Sequence, residues 1–115
     1  MLVNVLNIDD IKKAYSIYHC NTSRILFMNK DNSINYLGLG YIAVLAEKAK
    51  LYNYTFICNV SDNAYAAQAA FRMGFKKIYY NGTEIVFNKL YNIARQYETQ
   101  LFNKQTLHDL FECNS

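Results

Sequence analysis

The stretch NVSDNAYAAQAAFRMGFKKIYY, residues 59–80, decides the fold class, because a polar turn, an alanine-rich helix, a glycine and a strand follow one another in it. The helix is predicted over residues 62–73. Gly74 fits the left-handed position just past a helix end, and residues 75–80 are predicted as a strand. Small alanine side chains allow a helix to pack closely on a sheet. The stretch therefore indicates one strand-and-helix unit of an α/β protein.

The same alternation of strand and helix continues on both sides of this stretch. Strands are predicted at residues 2–7, 24–28, 54–58, 75–80 and 99–102. Helices are predicted after residue 9, at 38–52, at 62–73 and from Thr83. Asp9 or Asp10 is the predicted N-cap of the first helix. Residues 30–36 are predicted as a polar loop, and residues 105–115 as a frayed tail or a last helical turn.

Strand–helix repeats with short links predict a parallel sheet with helices packed on it. The fold class is therefore α/β: a single-domain sandwich with a four- to five-stranded, mainly parallel sheet, STAS-like or flavodoxin-like. A length of 115 residues suits one domain, predicted at residues 1–104 with a C-terminal tail at 105–115. Phe27, Ile57 and Ile78 are predicted to be buried in adjacent parallel strands.

Composition excludes several classes of partner. Hydrophobic residues make up 52% of the chain, which suffices for a core. The net charge is only +3, and no run of Lys or Arg exceeds two residues. No nucleic-acid partner is therefore expected. No apolar stretch approaches the roughly 20 residues of a membrane span. The first ten residues lack the basic and apolar regions of a signal peptide, so we expect a cytoplasmic protein without a membrane partner.

Residues that usually carry catalysis are isolated in this sequence. Cys20, Cys58 and Cys113 do not have metal-ligand spacing, so reduced, mostly buried thiols are expected. His19 and His108 have no partner in a recognisable catalytic motif. No metal and no cofactor are predicted, and whether the protein is an enzyme is left open.

A binding site, if the protein has one, is expected at the carboxyl edge of the sheet, where open α/β folds bind ligands. The candidate ligand-binding residues are Asn29, Lys30, Asp31, Gly38, Asn59, Ser61 and Asp62. Two carboxylates there disfavour a strongly anionic ligand, so a small polar ligand or an unknown protein partner is expected. The alternative is that the turn 59–63 only starts a helix, with Asp62 or Asn63 as its N-cap.

Four motifs between residues 24 and 96 carry a family resemblance. They are Asn29-Lys30-Asp31-Asn32, Tyr36-Leu37-Gly38, Asn59-Val60-Ser61-Asp62 and Arg72-Met73-Gly74. They resemble a short, uncharacterised family of bacterial α/β proteins from alphaproteobacteria. Its members have Ser-Pro-Pro-Gly, Tyr-x-Gly, Asp-Cys-Gly-Asp and Arg-x-Gly at these places. The two prolines are absent here and Asn59 replaces an aspartate. The resemblance implies the fold and its extent, without an established activity.

A second resemblance concerns the glycines. Asn35-x-x-Gly38-x-Gly40, and Asn63 followed eleven residues later by Gly74, resemble the acetyl-CoA-binding half of GNAT acetyltransferases. In that interpretation, backbone N–H groups at a helix start hold a pyrophosphate. Two functions remain open: a small non-catalytic interaction or ligand-binding domain, or a small acyltransferase-like protein binding a phosphorylated cofactor at the Gly38–Gly40 loop. An all-parallel sheet favours the first, and an antiparallel hairpin after Gly74 the second.

Overall fold

The structure, a computed structural model, describes residues 1–18 and 25–113, with side chains described as far as Leu110. The strands are β1 (Leu2–Val5), β2 (Leu26–Asn29), β3 (Thr55–Ser61), β4 (Lys77–Tyr80) and β5 (Gln100–Phe102). The helices are α1 (Ile8–Tyr18), α2 (Ile34–Leu51), α3 (Ala64–Met73), α4 (Glu84–Gln96) and α5 (Lys104–Cys113). His19, Cys20 and Arg24, which figured in the sequence predictions, lie outside the described residues.

The five strands form one sheet in the order β1-β2-β3-β4-β5, and every neighbouring pair is parallel. This confirms the α/β class and the parallel sheet of a flavodoxin-like sandwich. The strand order runs sequentially from one edge to the other, whereas the flavodoxin order exchanges the first two strands. Because right-handed crossovers that all advance in one direction place their helices on one face, α1 to α4 cover the same side of the sheet.

The main core lies between this face and the four crossover helices. Its buried sheet residues include Val5, Phe27, Cys58, Ile78 and Leu101. Its buried helix residues include Ile11, Ala14, Ile42, Leu45, Ala49, Ala67, Ala70, Phe71, Leu90 and Ala94. Burial raises the pKa of the Cys58 thiol to about 12, so this free cysteine stays protonated and unreactive at neutral pH.

A second, smaller core covers the opposite face of the sheet. Ile57 packs there with Met28, Phe102 and Leu107. Leu107 belongs to α5, a helix of ten residues that includes residues 105–113 of the segment predicted as a frayed tail or a last helical turn. Phe27, Ile57 and Ile78 are all 0% exposed in parallel strands, as predicted, but Ile57 faces the side opposite the other two.

Helices α1 and α2 begin at other residues than the sequence predicts. Helix α1 begins at Ile8, so Asp9 and Asp10 lie in its first turn and are not the cap. The Asn7 side chain instead accepts a hydrogen bond of 2.9 Å from the Asp10 N–H, because it stands one position before the helix. Helix α2 begins within the predicted loop, and Gly38 interrupts it with φ 79° and ψ 158°.

Gly74 ends α3 with φ 90°, which confirms the predicted left-handed conformation. Gly74→Ala is expected to lower the free energy of unfolding by about 1–2 kcal/mol, the cost of a left-handed conformation for a residue with a Cβ. No atom lies within 4 Å of the added methyl group, so the loss reports backbone strain alone. Chemical denaturation measures it.

Gly40→Ala is the matched control for this prediction. Gly40 lies inside α2, lacks a positive φ and has the same open surroundings. Alanine there is expected to raise stability by up to about 1 kcal/mol through helix propensity. If Gly74→Ala stabilised the protein as Gly40→Ala does, the left-handed end of α3 would be incorrect.

Candidate functional site

The carboxyl ends of the first four strands surround an open cleft on the sheet face opposite α1 to α4. Its volume of about 490 Å³ lies within the range of about 300–1,000 Å³ that is usual for ligand pockets. It is lined by Asn4, Met28, Lys30, Asp31, Asn59, Tyr79 and Asn81. Strand pairing places the side chains of Asn59 and Tyr79 next to each other on this face. The cleft is therefore built from one sheet edge, as the parallel topology requires.

Asn59 supplies an unused hydrogen-bond donor to the cleft. The residue is 1% exposed, and its Oδ1 accepts a hydrogen bond of 2.8 Å from the Ser61 N–H. Its Nδ2 makes no hydrogen bond with any described residue. Among described side chains, the Tyr54 hydroxyl is the one polar atom that is fully enclosed and has no partner. The Asn59 Nδ2 has no partner either, so it is not fully enclosed, and the cleft that Asn59 lines provides its access to solvent.

Asp31 joins the loop after β2 to the ends of two other strands. Its Oδ1 accepts hydrogen bonds from the Ser61 hydroxyl at 2.7 Å and from Asn81 Nδ2 at 3.4 Å. The Ser61 hydroxyl in turn accepts the Asn32 N–H at 2.8 Å. The second carboxylate oxygen, Oδ2, has no hydrogen bond within the described residues. The rim of the cleft is thus held in place while one acceptor stays free for a ligand.

A β-bulge between Asn59 and Ser61 sets the direction of these side chains. The register with β4 shifts there, so that Val60 is an extra, buried residue in β3. Ser61 has φ 55° and Asn32 has φ 64°, conformations that residues with a Cβ adopt at a cost in free energy. Two such residues joined by one hydrogen bond are a local concentration of strain of the kind found at binding sites.

Tyr79 and Lys30 add two donors to the cleft. Burial, and secondly the negative charge of Asp31, raise the pKa of the Tyr79 hydroxyl. The hydroxyl is therefore protonated at neutral pH and available as a donor beside a carboxylate. Lys30 is exposed, and its backbone N–H donates to the Val5 carbonyl at 3.1 Å. Its ammonium group has no ion pair within the described residues.

The structure brings together only some of the predicted site residues. Lys30, Asp31 and Asn59 line the cleft. Ser61 does not line it, but its hydroxyl donates a hydrogen bond that holds Asp31 in place. Gly38 and Asp62 do not line it.

Asn29 is 0% exposed and uses its whole amide inside the protein. Its Oδ1 accepts the Asn59 N–H at 2.7 Å, and its Nδ2 donates to the Asn59 carbonyl at 2.8 Å and to the Ser33 hydroxyl at 2.9 Å. This predicted ligand-binding residue therefore has no group left for a ligand.

Four residues of the cleft lining were not among the predicted site residues: Asn4, Met28, Tyr79 and Asn81. A signal for two of them exists in strand alternation. Asn4 lies between Val3 and Val5, and Tyr79 between two residues of the main core, so both point away from α1 to α4. Asn81 follows β4 directly, so the parallel topology places it at the same carboxyl edge.

Asn63, one of the two predicted alternatives, caps α3. Its Oδ1 accepts a hydrogen bond of 3.0 Å from the Ala66 N–H. Asn63→Ala is expected to lower the free energy of unfolding by about 1 kcal/mol, the usual value of such a cap. Asp62→Ala changes an exposed neighbour that does not cap, and is expected to cost less than about 0.5 kcal/mol. Thermal or chemical denaturation that ranks the two variants in the opposite order would contradict the cap assignment.

The cleft offers amide groups, one carboxylate, one ammonium and one phenol, a set that suits binding through hydrogen bonds and charge. Within residues 1–18 and 25–110, whose side chains are described, His, Cys, Asp and Glu nowhere gather in threes that could hold a metal ion. In the same part of the chain, no helix has both the length and the hydropathy for a membrane crossing.

No protein-family model, curated protein or solved structure matches the chain. The resemblances to the alphaproteobacterial family and to GNAT acetyltransferases therefore stay predictions.

Proposed function

We propose that the chain is a small, non-catalytic binding domain that takes a small polar ligand in the carboxyl-edge cleft. The observation that carries this proposal is the Asn59 amide. A nearly buried N–H donor without a partner costs about 1–3 kcal/mol unless a ligand or water satisfies it. Asn59 directs this donor into a cleft whose rim is already held in place by Asp31 and Ser61.

The charges in the cleft support a polar rather than a strongly anionic ligand. Lys30 and Asp31 contribute one positive and one negative charge, so the lining is close to neutral. A nucleotide or another phosphorylated cofactor is repelled by the Asp31 carboxylate. The all-parallel sheet also favours a binding domain over the acyltransferase-like alternative, which called for an antiparallel hairpin after Gly74.

A cytoplasmic location is part of this proposal. Cys58 is buried as a free thiol, which suits a reducing compartment.

A thermal-shift screen over amino acids, sugars, polyols, organic acids and acyl-CoA tests the proposal. A ligand at 100 times its Kd adds about 2.7 kcal/mol to the stability of the folded state. Asp31→Asn is expected to remove most of the shift that a polar compound produces. Asp62→Asn is the matched control, because Asp62 carries the same charge at the same sheet edge but outside the cleft. Equal loss in both variants, or a shift with acyl-CoA alone, would count against the proposal.

A further inference from the structure

We infer that the ligand of the cleft is a zwitterionic α-amino acid, with its carboxylate at Lys30 and Asn59 and its ammonium group at Asp31. This inference rests on the proposed function and names the chemical class of the ligand. It follows from three observations: opposite charges that form no ion pair with each other, a carboxylate oxygen without a hydrogen bond, and a nearly buried amide donor in the same cleft.

Lys30 and Asp31 are the two charged residues of the lining. They are neighbours in sequence, yet neither forms an ion pair within the described part of the chain. Two opposite charges held in one cleft without contact complement a ligand that carries both charges close together. An α-amino acid is the smallest common molecule of this kind, since its two charged groups share one carbon atom.

The hydrogen-bonding groups of the cleft also include an acceptor for an ammonium group and donors for a carboxylate. Asp31 Oδ1 is already occupied by Ser61 and Asn81, which leaves Oδ2 as an acceptor for an ammonium group. Two of the donors in the cleft, the Asn59 Nδ2 and the Lys30 ammonium, suit the two oxygens of a carboxylate. Because Ser61 holds Asp31 and the Asn59 side chain together, the spacing between acceptor and donors is fixed before binding.

Other classes of small polar ligand fit less well. A sugar or polyol satisfies the amides but leaves both charges without charged partners. An anion without an ammonium group meets the Asp31 carboxylate, and an amine without a carboxylate meets Lys30. Met28 and the ring of Tyr79 form the less polar part of the lining. An amino acid with an uncharged side chain is therefore the expected ligand.

The test compares each amino acid with two analogues that lack one charge. The full chain is titrated with uncharged L-amino acids by calorimetry. The strongest binder is then compared with its amino alcohol, which lacks the carboxylate, and with its deaminated acid, which lacks the ammonium group. Each analogue is expected to bind at least about tenfold more weakly, because it loses a hydrogen bond between two charged groups.

Two variants assign the charges to residues. Asp31→Asn is expected to weaken the amino acid at least about tenfold while leaving the deaminated acid unchanged or tighter. Lys30→Met is expected to weaken the amino acid while leaving the amino alcohol unchanged or tighter. Asp62→Asn and Lys89→Met, exposed changes outside the cleft, are the matched controls and should bind as the parent does. The double comparison separates loss of a contact from loss of folding.

The remaining outcomes separate the inference from the proposed function. If a monosaccharide or polyol binds in an Asp31-dependent way and no amino acid does, the amino-acid inference is wrong and the binding function stands. If the amino acid and its deaminated analogue bind equally, the paired-charge argument is wrong. If no small polar compound binds at millimolar concentration, both the inference and the proposed function fail.

Discussion

Ile57→Ala is expected to lower the free energy of unfolding by about 2–5 kcal/mol, a large part of the total stability of a domain this small. Ile57 is 0% exposed and packs with Met28, Phe102 and Leu107 on the sheet face opposite the four crossover helices. Truncation leaves a cavity between β3 and α5, because the strands on either side cannot move together to fill it.

Three further variants show where this loss comes from. Ile78→Ala removes the same atoms from the main core, where Ile78 is also 0% exposed, and is expected to cost about 2–5 kcal/mol as well. Leu107→Ala tests α5 directly, since Leu107 is 8% exposed. Ile85→Ala, at a residue 71% exposed, is expected to change stability by less than about 0.5 kcal/mol. If Ile57→Ala were as mild as Ile85→Ala in urea denaturation, α5 would not cover a core.

The fold class could be predicted because its signals are local. Alternating strands and helices, and the glycine that ends α3, follow from the sequence at short range. The α5 layer could not be predicted in the same way. A short C-terminal segment with a few apolar residues looks the same whether it frays or packs, and Leu107 has a core contact only because Ile57 and Phe102 leave an apolar patch on the far face.

The position of the candidate site followed from topology, but the roles of its residues did not. Parallel strands bring their carboxyl ends to one edge, which is why Lys30, Asp31 and Asn59 were predicted together. Which face each side chain occupies depends on strand register and on the bulge at Val60, and no local pattern encodes either. Asn29 and Asn59 both follow the same pattern in the sequence, a polar residue at the end of an apolar strand. Yet the Asn29 amide forms all its hydrogen bonds inside the protein, whereas the Asn59 side chain lines the cleft.

Asn29→Ala is expected to lower the free energy of unfolding by about 3–5 kcal/mol, because it leaves several buried polar groups without partners. The Asn29 amide replaces a backbone pair: it bonds both the N–H and the carbonyl of Asn59, and also the Ser33 hydroxyl. The regular ladder between β2 and β3 ends at Met28, so this side chain continues the pairing by one step. Ligand binding should be lost as well, since Asn29 holds the backbone from which the Asn59 amide reaches the cleft.

Asn29→Asp separates this contact from mere loss of volume, because it keeps the shape and the acceptor for the Asn59 N–H. In place of the Nδ2 donor, a carboxylate oxygen faces the Asn59 carbonyl and the Ser33 hydroxyl. Burial and the carbonyl dipole raise the pKa of this new carboxyl above the unfolded value of about 4. The folded state then holds the proton more tightly than the unfolded state, so the variant is most stable below about pH 4 and loses stability as the pH rises through the folded pKa. Urea denaturation at pH values from below about 4 to neutral measures the difference in free energy of unfolding between the variant and the parent. Asn92→Asp, at an exposed position of α4, is the control and should follow the parent's profile. If Asn29→Asp followed that profile too, the Asn29 amide would not be enclosed between β2 and β3, and the support for Asn59 as a directed donor would be lost with it.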